Sequence, residues 1–268
     1  MLRSIRAATG AVSAIVVVSF RADGQSMTYA PGTRHYELTA ELHQKATTPG
    51  SVQEMTAKSA QHVTVTLTQR ADTMDFTIVV DSVSFESTPP LTRPMDTARG
   101  RTAKGAMSPR GKLYRLAGAD SLSNAVALTF GSFFPQLPSS TEIGHAWTDT
   151  TITQLQPNGS DFGKVVTIST SRIAGDTTIA GVRAWKIERV SDGSGGGVRS
   201  EAAGDMVMQA VLKVRSTMYV GMNGIYLGSA ATSTSNITMT VAAVGLSVPL
   251  VQELTTRTRP TDIPTGSR

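Results

Sequence analysis

Between Thr33 and His43 the segment TRHYELTAELH alternates strictly, with Tyr36, Leu38, Ala40 and Leu42 on one side. His35, Glu37, Thr39, Glu41 and His43 fall on the other. A period of two is the pattern of a strand with one dry and one wet face. The same pattern returns in QHVTVTLTQ, with Val63, Val65 and Leu67 inward. It returns again in TMDFTIVVDSVSF, with Phe76, Ile78 and Val80 inward after a turn near Ala71-Asp72. These three segments predict a meander. Three prolines within Ser87 to Pro94 stop the pattern and predict a surface loop, since proline offers no donor to a ladder. GRTAKGAMSPRGKLYRLAG then predicts a hairpin around the turn Ser108-Pro109-Arg110-Gly111.

One stretch has a helical period instead. Leu122, Ala125, Val126, Phe130 and Phe133 fall on one stripe, with Asp120 or Ser121 as N-cap and Pro135 as the stop. PQLPSSTEIGHAW reads as an extended crossing into the strand HAWTDTTITQL. The second half predicts more strands in KVVTISTSRI, GVRAWKIERV, DMVMQAVLKVRSTMYV, NGIYLGSAATS and NITMTVAAVGLSVPLVQEL. Asn223-Gly224 marks a hairpin between two of them. SDGSGGG, Ser191 to Gly197, reads as a flexible loop and not a phosphate cradle, because neither a Lys-Ser/Thr pair nor a helix follows. The expected fold is therefore mainly β: a strongly curved, half-barrel-like antiparallel sheet of about ten strands with one short helix on its concave side.

The ends add a location. Arg3 and Arg6 precede an apolar run from Ala7 to Phe20 and the small-residue pattern Ala22-Asp23-Gly24, the layout of a secretory signal peptide. The run is too short and too broken for a membrane-spanning helix, which needs roughly 20 apolar residues. The expected organisation is a signal peptide over 1–24, with Ser26 as an alternative end, one domain over 25–258 and a disordered tail over 259–268. The chain has no cysteine, which excludes disulfides, thiolate metal sites, a cysteine nucleophile and a lipid-modified cysteine. The expected mature protein is exported to the periplasm or secreted, with no lipid anchor and no transmembrane span.

The formal charge of +5 falls to +3 once the first 24 residues are removed, and only 17% of residues are charged. That is mild basicity, and with Tyr114 alone beside the basic cluster for base stacking, nucleic acid is not an expected partner. The cations concentrate in Arg93, Arg99, Arg101, Lys104, Arg110, Lys112 and Arg115, against the single acid Asp96. Such a cluster is a candidate contact for an anionic partner or an envelope protein, or else the charged guard of an exposed sheet edge. Met206, Met208, Leu212 and Met218 share one face of a long strand, and with Leu122, Val126 and Phe130 they form a candidate lining for an apolar ligand. The bland reading of that face is ordinary core.

His35, Glu37, Glu41 and His43 share a polar strand face, the one arrangement that suggests a metal-dependent hydrolase. A closed site would need ligands from a second strand, and polar-out alternation is what a one-sided sheet presents anyway. The sequence contains no Gly-x-Ser-x-Gly elbow, His-Glu-x-x-His or acidic calcium loop, so the reading leans away from an enzyme and names no catalytic residue, metal ligand or cofactor. The order of elements, with Pro138, Gly144 and Trp147 following the helical stretch, resembles an uncharacterised family of exported bacterial β-proteins. The layout is more distantly similar to the curved half-barrels of periplasmic lipoprotein carriers. That likeness implies a cavity for acyl chains, and it carries no individual functional residue across. The leading expectation is an envelope protein that binds or carries a lipid or other apolar ligand. A structural or partner-binding protein with a filled core stands beside it.

Overall fold

A computed structural model describes residues 27–90, 99–117, 134–155, 163–201, 204–241, 243 and 245–262. The predicted helix, and with it Leu122, Val126 and Phe130, lies outside the described residues, as do the signal segment 1–24 and residues 263–268. Among the described residues there is no α-helix, and the chain forms one antiparallel sheet of eleven strands. The strands are β1 (Gly32–Thr48), β2 (Ser51–Arg70), β3 (Thr73–Thr88), β4 (Thr102–Met107), β5 (Leu113–Ala117) and β6 (Ala146–Leu155). They continue as β7 (Gly163–Ile179), β8 (Val182–Glu201), β9 (Gly204–Gly221), β10 (Tyr226–Val241) and β11 (Leu246–Pro260).

The spatial order is β5-β4-β3-β2-β1-β11-β10-β9-β8-β7-β6. Two meanders, β1 to β5 and β6 to β11, are thus joined where the first and last strands pair, from Tyr36 opposite Pro260 to Ala46 opposite Leu250. Counting antiparallel steps outward from that seam makes the two edge strands, β5 and β6, point the same way. Eleven strands, an odd number, cannot close into an all-antiparallel ring, and among the described residues no ladder joins these edges. The expected strong curvature is corrected accordingly: the sheet is neither closed nor strongly curled.

Two local readings also change. Ser191 to Gly197 lies inside β8 and not in a loop, with Ser191 to Gly196 paired on both sides and Gly197 with β9. The glycines are there for clearance: a Cβ at Gly195 would strike the Lys164 carbonyl oxygen, and one at Gly196 the Met208 carbonyl oxygen. NITMTVAAVGLSVPLVQEL is two strands, the end of β10 and the start of β11, which turn back through Gly245 at φ +59°. β11 continues to Pro260, two residues into the segment expected to be tail.

The core occupies one end of one face. Val63, Val65, Phe76, Ile78, Val80, Ile187, Met218 and Val220 are buried there around Tyr29, Tyr36 and Tyr226. The segment from Phe134 to Leu137 bridges the two edges at this end. Leu137 N–H donates to the Arg110 carbonyl at 2.7 Å, and Trp147 Nε1–H donates to the Gln136 carbonyl at 3.0 Å. Tyr29 hydroxyl donates to the Pro135 carbonyl at 2.8 Å, and Tyr36 hydroxyl to the Tyr226 carbonyl at 3.0 Å. These bonds let the phenols enter an apolar end without losing their hydrogen-bonding capacity.

Burial, reinforced by the neighbouring phenols, pushes Tyr29 and Tyr36 well above the ordinary tyrosine range, and burial pushes Tyr226 up to about 12. A raised folded-state pKa stabilises fully below the unfolded value near 10, and that contribution is lost as pH climbs toward the folded value. Above pH 10 stability should therefore fall by about 1.4 kcal/mol per pH unit for each of the three tyrosines. Urea unfolding midpoints between pH 9 and pH 12 measure this. A midpoint unchanged across that range would show that the phenols are not buried.

Candidate functional site

The inner face, the one that carries the core, changes character along the strands. Register aligns its residues in rows, because directly opposed residues of antiparallel neighbours point the same way. Above the packed end lie three mixed rows. One of them runs Ser169, Ser191, Val214, Ser233, Leu254, Leu42, Ala57, Ser87 across β7, β8, β9, β10, β11, β1, β2 and β3. Beyond these rows the face turns apolar again on β9, β10 and β11. Met206 stands opposite Val241, Met208 opposite Met239 and Ala210 opposite Ile237, and Val248 and Leu250 continue the last two rows.

This far patch is not core. Met206, Met208, Ile237, Met239, Val241, Leu246 and Val248 are all half-buried, whereas Met74, Met107 and Met218 at the packed end are 0, 1 and 3% exposed. The opposite face of the same strands is mainly hydrophilic, with Gln209, Asn236, Thr238, Thr240 and Ser247, and only Val211 and Val251 as exposed aliphatics. An apolar patch left half-buried on one side of a sheet, with polar residues on the other, differs from the closed core at the packed end.

The structure thus divides the predicted lining. Met206 and Met208 stand on the open patch, Leu212 in the mixed rows and Met218 in the packed core. Met239, Ile237, Val241, Leu246 and Val248 belong with the first two and were missed. The signal of Ile237, Met239 and Val241 was the alternation in NITMTV, and that of Leu246 and Val248 the alternation in LSV, both hidden by running the two strands together. A cleft at the packed end, beside Arg34, Tyr36 and Phe134, measures about 10 Å³, room for a single water.

The mixed rows hold buried hydroxyls and one ion pair. Ser169 and Ser191 hydroxyls are 2.8 Å apart, and Arg189 Nη2 reaches both oxygens of Asp149 at 2.9 and 3.1 Å. Ser171 is 2% exposed in the same zone. These too were missed, because serines and an Arg-Asp pair from three different strands carry no local motif.

The basic cluster is dispersed. Arg93 lies outside the described residues. Arg99 and Arg101 stand at one end of β4, and Arg110 and Lys112 in the turn at the other. Lys104 and Arg115 are exposed on the outer face. Arg110 has a structural task, since its Nε and Nη2 donate to the Leu137 carbonyl at 3.1 and 2.9 Å. On the outer face of β1 the polar residues make individual bonds: Glu41 with Lys58 at 3.1 Å, Glu37 with Arg259, and His35 Nδ1 with Thr64 Oγ1 at 2.9 Å. Among the described residues no three His, Asp or Glu side chains gather as a metal set. No helix among them is long and apolar enough to cross a membrane.

No family model matches the chain, and no curated protein matches it. Among solved structures, mutants of the Rh. blastica porin align over 84% of this chain and all of theirs, at 10% identity and a TM-score of 0.28. OccK11 (OpdR) of Pseudomonas aeruginosa aligns over 88% of this chain and 99% of its own, at 9% identity and a TM-score of 0.29. A putative outer membrane lipoprotein-sorting protein domain from Vibrio parahaemolyticus covers 87% of each chain at 9% identity, with a TM-score of 0.17. At these scores the likenesses carry no argument about function, and no family is assigned.

Arg110→Ala should cost about 1–3 kcal/mol, the worth of charge-assisted bonds to a carbonyl that is then left unpaired. Lys104→Ala, a fully solvated change on the same hairpin, should stay within about 0.5 kcal/mol. Urea denaturation of both variants checks the difference, and equal losses would contradict the anchoring role.

Proposed function

We propose that this chain is an exported envelope protein that binds a lipid or other apolar ligand on the far patch of its inner sheet face, without covalent chemistry. The carrying observation is that Met206, Met208, Ile237, Met239 and Val248 stay only half-buried together while Met74, Met107 and Met218 at the other end are fully packed. Covering such area yields about 25 cal/mol per Å² of apolar surface removed from water. Methionine's unbranched, polarizable side chain suits it to ligands of variable shape. The signal-peptide pattern of residues 1–24 supports export. The wholly polar outer face of β1 suits water and not a bilayer, because a lipid-facing strand needs an apolar outer band.

The filled packed end favours a second reading, a structural envelope protein that binds a protein partner. On that reading, crosslinking in the envelope captures a partner through Lys104 and Arg115, and neutralising both abolishes capture.

Native mass spectrometry of gently purified mature protein should find co-purifying lipid, and the protein should take up a fluorescent fatty acid. Met208→Glu with Met239→Glu should weaken uptake at least tenfold, while Gln209→Glu on the outer face of the same strand leaves it unchanged. A ligand-free protein with no uptake would overturn the proposal.

A further inference from the structure

We infer that Met206, Met208 and Met239 form a binding site for a soft monovalent metal ion, of the class of Cu(I) and Ag(I), held by thioether sulfurs. The site lies on the far patch but does not rest on the apolar-ligand reading, since it needs sulfur lone pairs and not apolar area.

The register brings the three side chains together. Met208 stands directly opposite Met239 across the β9–β10 ladder, and Met206, two positions earlier on β9, stands opposite Val241. All three share the inner face. Directly opposed Cβ atoms on neighbouring strands lie about 5 Å apart, and both the step from Met208 to Met206 and the diagonal from Met206 to Met239 are about 7 Å. An unbranched methionine side chain has several rotatable bonds, so sulfurs carried at these spacings can converge on one point above the sheet. All three residues are half-buried, whereas Met218 on the same face of β9 is packed in the core at 3% exposure. The three are therefore free to turn toward an ion.

The residue type selects the ion. Branched aliphatics fill a patch as well as methionine does, and Ile237, Val241, Leu246 and Val248 do so around the three sulfurs. A thioether adds a soft, polarizable lone pair. Soft sulfur donors select Cu(I), whereas imidazole suits Zn²⁺ and Ni²⁺, and carboxylate and carbonyl oxygens suit Mg²⁺ and Ca²⁺. The inner-facing residues of this patch on β9, β10 and β11 carry no nitrogen or oxygen in their side chains, so a hard ion finds no side-chain ligand there. The chain has no cysteine, which leaves methionine as its one source of sulfur donors. The aliphatic side chains around the sulfurs restrict solvent on the sheet side, as the apolar shell of a metal site does. The half-open side admits water, which screens the positive charge that neutral thioethers do not cancel.

The test is an anaerobic titration of the mature protein with Cu(I) against bicinchoninate, whose coloured Cu(I) complex bleaches as the protein takes the ion. A parallel calorimetric titration uses Ag(I), which needs no reductant. A single equivalent should be retained, an excess of Zn²⁺ should not displace it, and X-ray absorption at the copper edge should show a first shell of sulfur. Met208→Leu and Met239→Leu conserve volume and apolarity. Each should weaken Cu(I) at least tenfold and leave the thermal midpoint unchanged. Met222→Leu removes a thioether that is 40% exposed beyond the other end of β9, and it should leave Cu(I) affinity unaltered. No retention by the unaltered protein, full retention by the Met208→Leu, Met239→Leu double variant, an equal loss in Met222→Leu, or a first shell of nitrogen or oxygen would overturn the metal site. The double variant keeps its apolar area and should still take up the fluorescent fatty acid. Absence of uptake contradicts the apolar-ligand reading and leaves the metal titration to decide the metal site by itself.

Discussion

The pairing of β1 with β11 is the interaction on which the rest depends. Among the described residues it is the one strand pairing between two meanders that are otherwise each held by neighbouring strands. It joins residues more than 200 positions apart, so its loop-closure cost falls on the whole domain before any of its bonds form. Its register also sets the two faces. With Leu42 opposite Leu254 and Gln44 opposite Gln252, both meanders present their apolar positions to the same side. A slip of one residue would turn the faces of one meander against those of the other.

The same seam explains why the molecule has an open face at all. Among the described residues β5 and β6 remain separate edges, and Phe134 to Leu137 lies across the packed end between them. The strands are 15 to 20 residues long over most of the sheet, far longer than the core beneath them requires. Their excess length carries an inner surface that no described part of the chain covers. The filled end supplies stability, and the overhanging end carries the patch on which ligand binding is proposed.

Much of this was legible in the sequence. Alternation gave the first three strands with the correct faces, and the Asn-Gly and Ser-Pro-Arg-Gly turns gave two hairpins. What was hidden depended on partners far away in sequence. The glycines of β8 look like a flexible loop until β7 and β9 press against them on both sides. In β7 a simple alternation rule would turn Val166 and Ile168 inward. The anchor at Ile173 and Ile187 fixes the opposite phase, burying Ser169 and Ser171 and leaving Ile168 54% exposed. The ion pair of the mixed rows could not be read locally either, since Asp149 and Arg189 meet across an intervening strand.

The central claim is a sheet face packed at one end and open at the other, with methionines as reporters at both. Brief oxidation of the native protein with peroxide, followed by peptide mass spectrometry, measures each thioether's access to solvent. Rapid sulfoxide formation is expected at Met206, Met208 and Met239, with Met74, Met107 and Met218 protected. Uniform protection of all six, or faster oxidation of Met218 than of Met208, would contradict it.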